Sequence, residues 1–443
     1  MSNKFNKTLL ATTLAFSPIF AHGASFQLLE QSPAHLGKAF AGTGSDIIDA
    51  STVYFNPAGM TKLDRVSLTA GVNLVATDAQ FNNEGSSFSG EGDTTDELGV
   101  IPNLYAVVPL GDRLAVGFGV NAPYGLASSF NDEWVGRYSA TYSELQLVNV
   151  NATASWAITD FIAIGAGVNY QTIEADLQSQ VDSSLGLAPN TATDSSAKIK
   201  GDDDDFVLDL SVLITPSDRT SIGLVWREGG EFKLEGDATF DLNAACSPGA
   251  GYPTGAPPAP TTGTLCAGGL SALEGDIEAE VSMPDTLTFS VTQYVTEGWA
   301  FHADIAQTRW SSIQNIEVIN TGNGAQVDEL DLQYDDTMRY ALGTSIDTGA
   351  WTWRAGIALD EAPQTSPEHL SPRIPDADRT WLSVGANWEV SSHLSLDVGY
   401  THLLVDDASL REESTSAAGV PGVLAGSFDS SVDILGAQLN WRF

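Results

Sequence analysis

The chain has 443 residues, of which only 17% are charged, and a formal net charge of −38. This acidity argues against binding to nucleic acid and against binding to anionic lipid through a basic patch. Its 42 glycines, 10 tryptophans and 11 tyrosines fit a membrane β-protein with aromatic residues at the interfaces. Solubility of long exposed loops explains the acidity more simply than a binding site.

Residues 1–23 are predicted to form a secretory signal peptide. Two lysines precede an apolar run at 9–20, and the small residues Ala21 and Gly23 precede a cleavage site before Ala24. The apolar run is shorter than the roughly 20 residues that span a bilayer, and every later apolar run is interrupted. An exported chain of this kind is either a soluble secreted protein or a membrane barrel.

Residues 24–64 precede the first predicted strand and are rich in Ala, Gly and Ser, with helix-like stretches around 33–41 and 46–53. The strands that follow predict a barrel of about 14 strands. Eight strands fill their own interior, whereas 16 to 18 leave an aqueous channel, so a lumen of intermediate width is expected. We therefore expect residues 24–64 to form a hatch, a compact plug in that lumen.

From Arg65 onward the hydrophobic pattern has a period of two. Along 394–401, for example, apolar residues alternate with small or polar ones, as in a wall between lipid and lumen. The predicted strands lie near 65–77, 98–109, 113–122, 143–157, 161–175, 205–215, 220–236, 276–294, 299–319, 327–346, 351–360, 379–389, 394–404 and 430–443.

The connections between these strands are of two kinds. Short turns near 110–113, 158–160, 216–219, 295–298, 347–350 and 390–393 alternate with long polar segments near 78–97, 122–142, 177–203, 237–275, 361–377 and 406–429. In outer-membrane barrels, short periplasmic turns alternate with long extracellular loops in this way. The last strand ends on Phe443 with apolar residues at alternate positions, which resembles the signal of outer-membrane assembly. The predicted fold is an all-β transmembrane antiparallel barrel at 65–443 in the bacterial outer membrane.

Cys246 and Cys266 lie in one Gly/Pro/Thr-rich segment, and we expect a disulfide that staples this loop. Asp202–Asp205 allow a calcium site or divalent bridges to lipopolysaccharide phosphates. They lack the spaced ligands of a calcium loop, so a solvated charge run is favoured and no metal or other cofactor is predicted. His302 and His393 are interpreted as strand-end residues.

Several segments in order resemble the FadL family of outer-membrane transporters for long-chain fatty acids and other hydrophobic compounds. They are the predicted mature start at 24–28, the runs 36–42 and 56–60, and the segments 356–360 and 374–382. The resemblance implies capture in a groove among extracellular loops, binding in an apolar lumen, hatch movement and lateral release beside a kinked third strand. That strand carries Gly117, Gly119 and Pro123, which weaken ladder pairing.

The resemblance also implies candidate site residues. Ligand contact is assigned to Phe26, Leu28, Ile173, Glu317 and Arg379, the hatch motif to Asn56, Pro57 and Ala58, and the capture groove to Leu185, Leu187, Leu265 and Leu270. Phe26 could equally pack the hatch, Arg379 could form a structural ion pair with Asp376 or Asp378, and the leucines could pack the loops together.

Two positions depart from the family pattern of basic residues that meet a carboxylate. Ala175 follows the Ile173-Glu174 pair, and Glu317 occupies the second position. A neutral or aromatic hydrocarbon therefore competes with fatty acid as the cargo. An outer-membrane lipid hydrolase and an unspecific porin are alternatives from other classes. The expected partners are the hydrophobic cargo, outer-membrane lipid and lipopolysaccharide, and a monomer is expected because a closed barrel has no free edge.

Overall fold

The computed structural model describes residues 25–185, 191–251, 253–255, 259–415 and 421–443. The predicted signal peptide at 1–23 and Leu187 lie outside these residues. In the described part of the chain, no helix has the length and apolar character needed to cross a bilayer.

Nineteen strand segments form one closed antiparallel sheet. Five barrel strands are interrupted and contribute two segments each, namely β7/β8, β9/β10, β11/β12, β13/β14 and β17/β18, so the barrel has 14 strands, and β1 pairs with β19 to close it. The predicted barrel is confirmed. The segments are β1 (Ser67–Asn83), β2 (Thr94–Pro109), β3 (Leu114–Ser129), β4 (Tyr142–Ala157), β5 (Ile162–Val181), β6 (Ser195–Ser217), β7 (Thr220–Arg227), β8 (Glu231–Asp241), β9 (Gly275–Ser282), β10 (Thr286–Thr296), β11 (Trp299–Thr308), β12 (Asn315–Asn320), β13 (Gln326–Asp331), β14 (Thr337–Asp347), β15 (Trp351–Asp360), β16 (Arg379–Ser391), β17 (Leu394–Val405), β18 (Ala408–Thr415) and β19 (Pro421–Arg442).

The strands extend further than the sequence pattern predicted. β5 continues to Val181, β6 begins at Ser195, and β18 with the start of β19 forms a hairpin inside the predicted loop at 406–429. The reason is that the outward residues become polar above the apolar band, so the apolar alternation stops before the ladder does. On the outward face of β6, for instance, Leu210, Leu208 and Phe206 give way to Asp204 and Asp202.

The helices are short. They are α1 (Pro33–Leu36), α2 (Thr52–Phe55) and α3 (Thr262–Leu273), with 3-10 turns at Pro57–Lys62, Ala244–Cys246 and Trp310–Ser312. Ser32 caps α1, and its Oγ accepts from the backbone N–H of His35 at 3.4 Å. The helix-like stretch predicted at 33–41 ends early because Ala39 and Phe40 have φ angles of 49° and 54°, which an α-helix does not accommodate.

Candidate functional site: an apolar lumen beside an open strand edge

Residues 25–63, here called the N-terminal segment, lie inside the barrel. Helix α1 contacts β1, β16, β17 and β19, and the turn at Pro57–Lys62 contacts β2 to β6. Glycines in the wall allow this close approach: a Cβ on Gly37 would lie 2.7 Å from the Cα of Gly385. Of the residues in this segment only a few are not fully buried, so it packs as part of the barrel interior.

Asp304 of β11 anchors the middle of the segment. Its carboxylate accepts from the backbone N–H of Gly42 at 2.7 Å and of Thr43 at 3.0 Å. Lys38 and Asp46 form a buried ion pair within the segment, and Arg339 donates to the carbonyl of Ala39 at 2.8 Å. Charge-assisted hydrogen bonds of this kind are strong in a dry interior, so the segment is tied to one side of the wall.

His302 differs from its predicted place at a strand end. It lies in the middle of β11 and is 2% exposed. Its Nδ1 is 3.1 Å from Thr292 Oγ1 and 3.6 Å from Asp46 Oδ2, and its Nε2 is 2.9 Å from Ser345 Oγ. The wall strand presents this ring inward, so His302 packs against the N-terminal segment.

Asn56, Pro57 and Ala58 shape the end of the segment. The Asn56 side chain accepts from the backbone N–H of Ala58 at 3.1 Å and donates to the carbonyl of Gly44 at 2.5 Å. The Ala58 N–H also donates to Ser211 Oγ of β6 at 3.0 Å. Pro57 begins the 3-10 turn, where its missing N–H costs nothing. These residues hold the segment against β5 and β6.

The wall has an open edge between β2 and β3. Their ladder runs only from Pro109↔Ala115 to Leu104↔Val120, although β2 begins at Thr94 and β3 continues to Ser129. Within the described stretch 94–129, no further ladder pair joins the two strands. Pro102 of β2 and Pro123 of β3 lie just past the last pair. Proline cannot donate to a ladder and is confined to such edges, so these two prolines end the β2–β3 ladder. The boundary between two neighbouring wall strands is called a seam below.

The N-terminal segment occupies the freed edge of β3. Gly125 N–H donates to the carbonyl of Phe26 at 2.9 Å, and Leu28 N–H donates to the carbonyl of Pro123 at 2.8 Å. The Gln31 side chain extends this substitute strand, since its Nε2 donates to the carbonyl of Ala122 at 2.7 Å and its Oε1 accepts from the Ala122 N–H at 3.3 Å. Residues 26–31 therefore satisfy backbone groups that β2 leaves unpaired.

Directly inside this edge lies a cluster of buried apolar residues, here called the luminal cluster. Phe26 is at its centre: its ring is 4.9 Å from Trp310 in an edge-to-face arrangement and 6.1 Å from Tyr124. Such ring pairs are favourable beyond the area they bury. The members are Phe26, Tyr124, Leu126, Leu147, Ile173, Phe232, Leu234, Val281, Met283, Trp310, Ile313, Leu332, Tyr334 and Ile374.

The predicted ligand residues fall in different places. Phe26 and Ile173 belong to the luminal cluster, and Ala175 packs against it. Leu28 belongs to the neighbouring cluster of the N-terminal segment. Glu317 requires a correction: it is exposed on the outward side of β12, whereas Ile316 packs against the cluster. Strand alternation turns the two residues to opposite faces, so the Glu317 carboxylate does not meet a luminal ligand.

Arg379 is held by ion pairs at the edge of the luminal cluster. Its guanidinium donates to Asp376 Oδ1 at 2.5 Å and is 3.9 Å from Asp360. The other Asp376 oxygen accepts from the backbone N–H of Ser25 at 2.5 Å. Burial raises the pKa of Asp376 to about 6, partly opposed by Arg379. These contacts support the structural role of Arg379, an ion pair with Asp376. Through the Ser25 N–H, Asp376 also holds the start of the N-terminal segment.

An apolar route leads from the luminal cluster toward the long-loop end. Ile316 packs both against the luminal cluster and against a second cluster of Ile199, Ala238, Ile277, Ala279, Val318 and Val327. Ile199 and Val327 also line an outer cleft of about 660 Å³ between the loops. The rim of the cleft carries Arg373 and Arg411 beside several carboxylates. Apolar packing therefore connects the loop end of the barrel with the luminal cluster.

The predicted capture residues lie elsewhere among the loops. Cys246 and Cys266 form a disulfide, and Leu270 is buried against it with Leu185 alongside. Leu265, on α3, is 44% exposed. The structure therefore brings Leu185 and Leu270 together as loop packing and leaves Leu265 on the surface.

In the acidic run at 202–205, two carboxylates accept hydrogen bonds from the backbone of β8. Asp203 Oδ2 accepts from the Lys233 N–H at 2.6 Å, and Asp205 Oδ2 accepts from the Glu231 N–H at 3.2 Å. These side chains bond to the start of β8 where the ladder between β6 and β7/β8 is interrupted. Among the described residues no group of three metal-ligating side chains is found.

Sequence reasoning missed Gln31 and the luminal pair Asp209 and Arg227. Arg227 lies 3.9 Å over the ring of Tyr54 and is the ladder partner of Asp209. Asp209 and Arg227 could have been identified from the sequence, because both charged residues occupy inward positions of apolar strands. Nothing in the pattern around Gln31 distinguishes it from other hatch residues.

The comparisons with known proteins agree with this architecture. Residues 14–443 match the family described as outer membrane protein transport protein (OMPP1/FadL/TodX). The chain is 29% identical over 442 residues to outer membrane protein P1 of Haemophilus influenzae, covering 93% of each chain. It is 29% identical over 441 residues to the long-chain fatty acid transport protein of Escherichia coli K12, covering 93% of this chain and 95% of that one.

Solved structures share the fold. A FadL homologue of Pseudomonas aeruginosa superposes with a TM-score of 0.83 at 22% identity, covering 95% of this chain and 100% of that one. The toluene transporter TodX of Pseudomonas putida superposes with a TM-score of 0.67 at 18% identity, covering 95% and 100%.

A closed barrel with an apolar band outside and an apolar lumen inside defines an outer-membrane transport protein. The chain belongs to the OMPP1/FadL/TodX family, which confirms the resemblance found in the sequence. Members of this family are transport channels of the outer membrane and not enzymes, so the lipid hydrolase alternative is excluded.

Proposed function

We propose that this protein takes up long-chain fatty acids or other hydrophobic molecules passively across the outer membrane. The relatives support this cargo class, since one is named a long-chain fatty acid transport protein and a structural neighbour a toluene transporter. Cargo enters at the outer cleft, passes the apolar clusters, and leaves sideways between β2 and β3. The N-terminal segment acts as the hatch.

The single observation that carries this proposal is the seam between β2 and β3. A barrel wall in lipid must satisfy its backbone polar groups internally, and here residues 26–31 bond to the freed edge of β3 in place of a strand. When these residues move away, the wall opens beside the luminal cluster. Cargo that occupies the place of Phe26 would then have an apolar path into the membrane.

Beyond the outer cleft, few charged residues adjoin this path. Arg379 is paired with Asp376, Arg227 faces Asp209, and Ala175 stands where the resemblance placed a base. Among the described residues, the luminal cluster itself contains no cation that a carboxylate could meet. This favours the second candidate cargo, a neutral or aromatic hydrocarbon, over an ionised fatty acid.

The outward face supports a single barrel embedded in lipid. Exposed apolar residues such as Val168, Leu210 and Leu342 line it, and stacked Trp351, Trp353 and Trp388 mark one interface. The first and last strands, β1 and β19, pair with each other, so neither presents a free edge to a second copy. We accordingly propose a monomer surrounded by outer-membrane lipid and lipopolysaccharide.

The test is to purify the full-length protein without apolar detergent and identify co-purifying molecules by mass spectrometry. A hydrophobic molecule bound in stoichiometric amount is expected. Ile173→Asp should abolish it, because a charge in the luminal cluster is costly. Thr172→Asp, the next residue on the outward face of β5, is the matched control and should retain it. Equal loss or equal retention in both variants would contradict luminal binding.

A further inference from the structure

A row of buried polar side chains, five amides and one carboxylate, crosses the inner wall below the luminal cluster. Its members are Asn121 of β3, Asn149 and Asn151 of β4, Asn169 and Gln171 of β5, and Asp209 of β6. Asn121 Nδ2 donates to Asn151 Oδ1 at 3.0 Å, and Asn149 Nδ2 donates to Asn121 Oδ1 at 3.0 Å. Asn169 Nδ2 donates to Asp209 Oδ2 at 2.9 Å. Asn151 also donates to Asn169, so these five side chains form a connected polar shelf, and Gln171 adjoins it as the ladder partner of Asn149.

The shelf adjoins the luminal cluster. Asn149 and Gln171 are ladder partners, and two residues further along the same strands Leu147 and Ile173 are also partners. Both Leu147 and Ile173 belong to the luminal cluster, and two strand residues cover only about 7 Å. A ligand whose apolar part rests on Leu147 and Ile173 therefore brings its polar end to Asn149 and Gln171.

Three atoms of the shelf lack partners. Across the described residues, no hydrogen bond reaches Asn149 Oδ1, Gln171 Oε1 or Asp209 Oδ1, although all three atoms are buried. Their residues are 0%, 1% and 1% exposed. Buried polar atoms in folded proteins normally have a partner, and all three of these are acceptors. What they lack is a hydrogen-bond donor.

The unpaired acceptors of the shelf disfavour a charged anion. A carboxylate offers acceptors only, so it would face three unpaired acceptors, one of them a carboxylate oxygen. The cation next to the shelf is Arg227, the ladder partner of Asp209. It donates to the carbonyl of Tyr54, while its buried Nε has no partner among the described residues. A hydroxyl or an undissociated carboxyl can donate instead.

We propose that this shelf is a head-group subsite for an uncharged polar group that donates a hydrogen bond, such as the hydroxyl of a long-chain alcohol. The inference rests on the proposed function, because the apolar chain of the ligand occupies the luminal cluster. It narrows the cargo from any hydrophobic molecule to a neutral amphiphile with a donor at one end.

The test compares three ligands of equal chain length: dodecanol, dodecane and dodecanoate. Partitioning of each radiolabelled ligand into full-length protein in micelles is measured at pH 8 and referred to protein-free micelles. The wild-type protein is expected to favour dodecanol over both others by about tenfold, the gain from one or two hydrogen bonds. Asn149→Leu with Gln171→Leu should remove this preference and leave dodecane binding unchanged.

Two further variants keep the test decisive. Thr153→Val, on the same face of β4 but outside the shelf, should behave as wild type. Gln171→Lys supplies a donor in place of an acceptor and should shift the preference toward dodecanoate, even if the double leucine variant fails to fold.

Two outcomes overturn the inference and are distinguishable. A dodecanol-to-dodecane ratio that stays unchanged in these shelf variants, as expected if ordered water alone satisfies the amides, overturns the subsite but not the proposed transport. Failure of all three ligands to bind the wild-type protein overturns both.

Discussion

Two seams of the barrel differ in a way that locates its function. At the closure, β1 and β19 pair without a break from Ser67↔Arg442 to Asn83↔Gly426. At the second seam, β2 and β3 pair only up to Leu104↔Val120. Both seams join neighbouring strands of similar length, yet only the second is completed by residues from outside the wall.

The difference lies in what each seam costs to open. Opening the closure would break a continuous ladder in lipid, where unpaired backbone groups are expensive. Opening the second seam breaks only the hydrogen bonds between residues 26–31 and the edge of β3, because the wall strands are already apart. A gate at this place needs no rearrangement of the barrel.

Removal of the N-terminal segment should give the largest effect. The intact protein is expected to conduct ions poorly in planar bilayers, and deletion of residues 24–64 should open a lumen that 14 strands leave unfilled. A large conductance that is the same with and without these residues would instead support the unspecific porin.

The packing of the N-terminal segment at the second seam should depend on pH, through Glu30. Both oxygens of the Glu30 carboxyl are buried without a partner among the described residues, and burial raises its pKa to about 7 from 4.5. Because the folded-state pKa is raised, the packed segment is most stable below about pH 4.5 and loses roughly 3 kcal/mol as the pH rises to 7. Hydrogen-exchange protection of the Leu28 and Gly125 amides should therefore be lower at pH 8 than at pH 5. Glu30→Gln should abolish this difference, and the same profile in that variant would refute the assignment.

Gln31 offers a smaller and more local change. Gln31→Leu leaves the Ala122 N–H and carbonyl without the partners that the amide supplies, at a cost of about 1–3 kcal/mol. Exchange at Gly125 should become about 10 to 100 times faster. Gln27→Leu is the matched control, because the Gln27 side chain only accepts from Thr308 at 3.4 Å. Exchange at the β1–β19 seam should not change in either variant.

The strands of the barrel wall could be predicted from the sequence. Alternation of apolar and small residues sets which face of each strand meets lipid, and the lengths of the connections order the strands into pairs. The position of the N-terminal segment in the lumen was also predictable. The segment contains no alternating stretch, and a barrel of this size leaves a lumen that its own side chains do not fill.

The site was only partly predictable. Phe26 and Ile173 were identified through the resemblance, whereas Glu317 was placed wrongly although Ile316 and Val318 on either side mark it as outward-facing. The open seam could not be read from the pattern, since face alternation says which side a residue points to and not which strand pairs with it. Of the residues that were expected to weaken the third strand, Pro123 lies at the break, opposite the stretch of β2 that holds Pro102, whereas Gly117 and Gly119 remain in the ladder.

The central claim is that cargo passes only after residues 26–31 leave the edge of β3. Gln27 and Tyr124 are directly opposite across this edge, in the type of antiparallel pair whose Cα atoms lie about 4.5 Å apart, so cysteines there can form a disulfide. Uptake of the cargo by cells carrying Gln27→Cys with Tyr124→Cys should fall to the background of cells lacking the protein when oxidised, and recover on reduction. The single variants, treated identically, should take up cargo in both states. Undiminished uptake with a complete cross-link would contradict the account.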